Sequence, residues 1–119
     1  MRDVMVCHCD ECRRWSGYLG AFSATRVEDL VFVEDEALRW IDSPESNRRA
    51  RRGFCGECGS SLFWQASGAE RVNVAAGTLD RPTGLRIAGH WYTQHAGDFD
   101  VLPDDGLPRD PNPATLRWS

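Results

Sequence analysis

Five cysteines stand out because of how they are spaced. Cys7, Cys9 and Cys12 form a C-x-C-x-x-C triplet, and Cys55 and Cys58 form a C-x-x-C pair. Thiolates are soft ligands that hold zinc tetrahedrally, with Zn–S near ~2.3 Å. A C-x-x-C turn brings two sulfurs to one metal, and glycines at Gly56 and Gly59 permit the positive φ that such a knuckle needs. The pair can alternatively act as a redox dithiol, but no thioredoxin-like βαβ pattern surrounds it. Three thiolates on Zn²⁺ carry one net negative charge and leave a fourth position. Left open, that position takes water or a substrate such as a small thiol, whose pKa the metal lowers. A fourth protein ligand would close it instead. His8, between two of the cysteines, is expected to point away from the metal.

Other residues carry two readings each. Arg13 and Arg14 can offset the zinc–thiolate charge or form a solvated basic face. His90 and His95 can serve as acid or base near neutral pH, or can be ordinary surface or hydrogen-bonded histidines. Trp15, Phe22, Phe54, Phe63, Trp64, Trp91 and Tyr92 can line a small-molecule pocket, although core packing is the commoner role of such rings.

Asp10 and Glu11 suit the start of a short helical turn that Gly17 ends. The spacing predicts strands over residues 20–27, 37–41, 62–66, 71–76 and 85–92, with a short apolar run at 30–33. Residues 43–47 read as a turn, and Arg48, Arg49, Arg51 and Arg52 as an edge strand with its charges outward. The stretch 103–119, rich in Pro, Asp and Gly, reads as a mostly irregular surface tail. Short strands at frequent turns make this a mainly β domain with little helix, stabilised by zinc.

Length and composition agree. The 119 residues suffice for a single domain, and 41% hydrophobic with 27% charged residues is ordinary globular usage. The net charge of −4 argues against a general nucleic-acid surface, although all fourteen basic residues are arginine. No apolar run approaches the ~20 residues of a membrane span. An odd cysteine count without a signal-peptide pattern fits reduced thiolates and a cytoplasmic location.

The order of these motifs resembles the glutathione-dependent formaldehyde-activating enzyme family, which includes centromere protein V. The stretches that carry the resemblance are Cys7-His8-Cys9-Asp10-Glu11-Cys12-Arg13, Gly20-Ala21-Phe22, Phe54-Cys55-Gly56-Glu57-Cys58-Gly59-Ser60, Gly77-Thr78-Leu79-Asp80 and His90 beside its aromatic pair. The resemblance implies a β-rich fold with a catalytic zinc on Cys7, Cys9 and Cys12 and a structural zinc on Cys55 and Cys58. It also implies carbon–sulfur lyase chemistry that joins a thiol such as glutathione to formaldehyde. Members of the family complete the structural site with a C-x-C on an early strand upstream of the triplet. Only six residues precede Cys7, and that pair is absent. Two expectations follow: either the family's first strand is missing, or Cys55 and Cys58 share one closed Cys₄ zinc with two of the triplet. The closed arrangement suits a different function, a non-catalytic zinc module for protein or nucleic-acid binding.

Overall fold

The computed structural model describes residues 1–43 and 49–110. Eight strands form one sheet: β1 Val4–Cys7, β2 Gly20–Arg26, β3 Leu38–Asp42, β4 Ala50–Cys55, β5 Ser61–Ala66, β6 Arg71–Ala75, β7 Ile87–Trp91 and β8 Arg109–Asp110. Their order across the sheet is β3-β4-β5-β6-β2-β1-β7-β8. Neighbours are antiparallel, except that β7 runs parallel to both β1 and β8. The mainly β expectation holds. The one α-helix among the described residues, α1 Asp10–Ser16, is short.

β1 has no counterpart among the sequence-derived strands. Its four residues are all buried, so Val-Met-Val-Cys shows no alternation for a pattern to catch. It lies between β2 and β7, with Met5 facing Phe22 and Cys7 facing both Gly20 and Trp91. The core sits there: Met5, Cys7, Cys12, Phe22 and Trp91 pack together, with Trp64, Ala75, Ala88 and Tyr92 against them. Phe22 and Trp91 are therefore core, as the commoner reading of the aromatics expects.

The short helix forms for local reasons. Asp10 and Glu11 occupy its first turn and Arg13 and Arg14 its last, each sign complementing the helix dipole. Gly17, at φ +85°, ends it with a bond from its amide to the carbonyl of Arg13. Gly20 lets the helix sit close to the sheet, since a Cβ there would lie 2.6 Å from the Phe22 ring and 3.3 Å from the Cys12 Cβ.

The apolar run at 30–33 forms no strand, and Val31 and Val33 are exposed, the latter completely. Acidic residues stand on either side of it, Glu28-Asp29 and Glu34-Asp35-Glu36. One expectation needs correction: the arginine segment is not an edge strand, because β4 pairs with β3 on one side and β5 on the other. Alternation splits its charges. Arg51 points out, stacking 3.8 Å over Trp40 and donating to Gln65, while Arg52 points in and is 3% exposed. Residues 44–48, which include most of the expected turn and Arg48, lie outside the described residues, as does 111–119. Within 103–110 the chain is irregular until Arg109 and Asp110, which pair with His90 and Trp91.

Candidate metal centre

Cys7 ends β1, Cys9 caps α1 and Cys12 lies in its first turns, so one strand-to-helix junction presents all three sulfurs together. They lie within 4.8 Å of one another, and among the described residues no other Cys, His, Asp or Glu donor joins them within that distance. Tetrahedral coordination at ~2.3 Å places sulfurs about 3.8 Å apart, so the donor set suits a soft cation such as zinc. The capping geometry helps: the Cys12 amide donates to Cys9 Sγ at 3.3 Å, as ordinary N-caps accept from the first helical turn.

Packing three thiols together makes them compete for protons. Cys9 is driven down to about 2, because the Cys12 and Cys7 thiols donate to it, with the Cys12 amide and the Arg52 charge assisting. Cys7 is pushed up, by its hydrogen bonds to Cys12 and Cys9 and then by burial. For Cys12 a bond from Cys7 pulls downward, but donation to Cys9, burial and the Cys9 charge together carry it up to about 11. A cation that ionises all three relieves this competition.

Arg52, placed outside the site by its sequence reading, belongs to it. Its Nη2 donates to Cys12 Sγ at 3.4 Å and lies 3.1 Å from Glu11 Oε1; its Nε bonds the same Glu11 oxygen at 3.1 Å and Ser43 Oγ at 3.3 Å. Arg13, one of the two arginines proposed to serve the metal, instead pairs with Asp10 at 3.0 Å.

His8 does point away from the sulfurs. It is buried, and its Nε2 lies 3.0 Å from Nδ1 of His90, whose Nε2 lies 2.8 Å from Asp105 Oδ2. The three form a line from the ligand loop, across β7, to the tail. The His8 amide also bonds the Trp91 carbonyl at 2.9 Å, so the loop is held by backbone and side chain together. Burial, then the neighbouring His90, lowers the His8 pKa; the bond from His90 lowers that of Asp105. His90 is thus a buried, hydrogen-bonded residue, whereas His95 is half-exposed, 4.0 Å from Asp10. No motif in the sequence signals the alignment, because His8 and His90 are 82 residues apart.

Tyr92 follows β7 in a left-handed backbone conformation at φ +54°, a strain of about 1–2 kcal/mol for a non-glycine residue. Among the described residues no other non-glycine does this. Tyr92, Cys9 and Trp64 all pack against the core cluster that contains Cys7 and Cys12.

Cys55 and Cys58 lie elsewhere, in the turn between β4 and β5. Cys55 is half-buried and Cys58 exposed, and neither joins the triplet's group. The arrangement in which the pair shares one metal with two triplet cysteines is not the one the fold assembles. The turn has the form of a metal knuckle nonetheless. The Gly59 amide bonds the Cys55 carbonyl, the Cys58 amide reaches Cys55 Sγ at 3.5 Å, and Gly59 takes φ +78°. Ser60 Oγ, 3.1 Å from Cys58 Sγ, lowers that thiol's pKa.

The family model of the glutathione-dependent formaldehyde-activating enzyme matches residues 2–95, which include both cysteine clusters, Arg52 and His90. The chain belongs to this family. A search among curated proteins returns no match. The formaldehyde-activating family match ends short of Asp105, the residue that completes the line through His90 and His8.

Proposed function

We propose that this protein is a zinc-dependent carbon–sulfur lyase acting on the adduct of a small thiol, of the glutathione type, with a small aldehyde. The observation that carries this reading is the set of three sulfurs, those of Cys7 and Cys12 buried and that of Cys9 half-buried, with no fourth side-chain donor joining it among the described residues. Zinc, when held by Cys7, Cys9 and Cys12, supplies a Lewis-acid position at which a thiol ionises and a carbonyl is polarised. The chain's own contribution is positional. β1 and α1 fix the three sulfurs, the line through His8, His90 and Asp105 holds the loop from behind, and Trp64 and Tyr92 supply apolar bulk on the core side.

Cys55 and Cys58 are proposed as half of a separate structural zinc site, completed by donors beyond the hairpin. Support comes from the knuckle's amide-to-sulfur bond and its left-handed glycine. All five cysteines are free, which suits a reducing compartment such as the cytoplasm. No helix among the described residues is long and apolar enough to cross a membrane.

The test is direct: zinc-loaded protein is mixed with glutathione and formaldehyde, and adduct exchange is followed by NMR. Exchange faster than the uncatalysed control, lost in Cys9→Ser with the fold retained, is the expected result. Exchange at the control rate removes this substrate pair. An inert protein with zinc bound would then be a non-catalytic module.

A further inference from the structure

Arg52 is a cation placed where water cannot reach it. Its side chain is 4% exposed, the Trp15 ring centre lies 5.6 Å from its guanidinium carbon, and its Nη1 is buried without a hydrogen-bond partner among the described residues. A guanidinium removed from water needs anions to replace the lost hydration. Two groups on α1 are in position to do so. Glu11 is one, taking both Nε and Nη2 on a single carboxylate oxygen. The second is the Cys12 sulfur at 3.4 Å, which bears a full charge once it is ionised to hold a metal. Arg52 therefore divides one positive charge between a carboxylate and a metal-ligating sulfur.

That division has consequences at the sulfur. An N–H···S bond from a cation is a charge-assisted bond, and it draws electron density off the thiolate. It thus lowers both the sulfur's donor strength and its nucleophilicity. Cys9 receives a neutral amide instead. The three sulfurs are inequivalent in kind.

We propose that Arg52 is a positioning residue that tunes the metal centre, holding Cys12 as the weakest thiolate donor of the three, while Glu11 sets how much of the guanidinium's charge reaches that sulfur. The inference rests on reading the triplet as a metal centre. It assigns Arg52 and Glu11 opposite effects on one sulfur, which a purely structural ion pair would not produce.

Cobalt(II) in place of zinc reports on the sulfurs through its sulfur-to-metal charge-transfer bands, independently of catalysis. In Arg52→Gln the bands should move to lower energy, because Cys12 becomes more electron-rich. Arg52→Lys keeps the charge without the fork and should fall between the two. In Glu11→Gln the guanidinium is released toward Cys12, and the bands should move to higher energy. Should Arg52→Gln fail to fold, Glu11→Gln decides alone, since Glu11 lies at the helix's partly exposed side. Bands that stay put or move to lower energy in Glu11→Gln overturn the proposal. A wild-type protein that binds cobalt without sulfur charge-transfer bands overturns the metal-centre reading itself, and the proposal with it. The two failures are therefore distinct.

Discussion

The triplet and the pair put the same side chain in opposite surroundings. Cys7 and Cys12 are buried in a core that also holds Met5, Phe22 and Trp91; the Arg52 guanidinium reaches Cys12 from β4, and His90 on β7 bonds His8 of the loop between the cysteines. Cys55 and Cys58 sit at a hairpin tip, with Ser60 as the polar side chain at hand and Cys58 open to solvent. The first cluster is preorganised by the whole sheet, the second by its own turn. Burial close to neighbouring thiols raises the cost of holding charge until a cation arrives, and a metal bound there is coupled to the fold.

The largest effect should come from removing one sulfur on each side. Cys12→Ser is expected to lose the triplet's zinc, whereas Cys58→Ser keeps it; stoichiometry by chelator release checks both. Loss of the triplet metal in Cys58→Ser would break the comparison.

Next come the two adjacent arginines. Arg52→Met should lower unfolding stability by about 3 kcal/mol, because a partly buried carboxylate loses its partner. Arg51→Met, one residue earlier and facing water, should cost under about 1 kcal/mol, the scale of an exposed cation–π contact. Denaturant titration of the two variants gives both numbers, and equal losses would show that β4 does not sort its charges by face.

Acid should act through His8 as well as through the sulfurs. Burial, and then His90, lowers its folded pKa, so the unfolded chain binds the proton more readily. Stability is therefore whole above the unfolded value of about 6.5 and declines as pH falls through the folded pKa, with a slope of at most about 1.4 kcal/mol per pH unit. Zinc-saturated melts of His8→Gln should have a shallower pH dependence than wild type. Identical profiles would mean that His8 is not the group that titrates.

The smallest effect sharpens the comparison at the backbone. Gly17→Ala and Gly59→Ala both place a side chain in left-handed backbone with no neighbour to clash, each at about 1 kcal/mol. Thermal shifts that match show two equally tight turns; a smaller shift at Gly59 shows that the hairpin relaxes.

The sequence carried the local features well. Cysteine spacing located the triplet, Asp10, Glu11 and Gly17 bounded the helix, and alternation found β2, β5 and β6 nearly to their ends. Long-range features escaped. β1 is too short and too evenly buried to alternate. Arg52 reads like its neighbours until the sheet shows that α1 lies over it, with Glu11 41 positions earlier in the chain. His90 and Asp105 bond across the parallel β7 edge, a pairing that no local pattern encodes.

The parallel pairing of β1 with β7 also bears on the order in which the molecule is made. The triplet leaves the ribosome ahead of β7: Trp91, which bonds the amide of its loop, follows 83 residues behind His8, and Asp105 comes later still. The nascent chain thus exposes the three cysteine sulfurs long before the strand that backs them exists. A chain halted before β7 should offer cysteines without the socket that arranges them, so the arranged triplet awaits synthesis past β7.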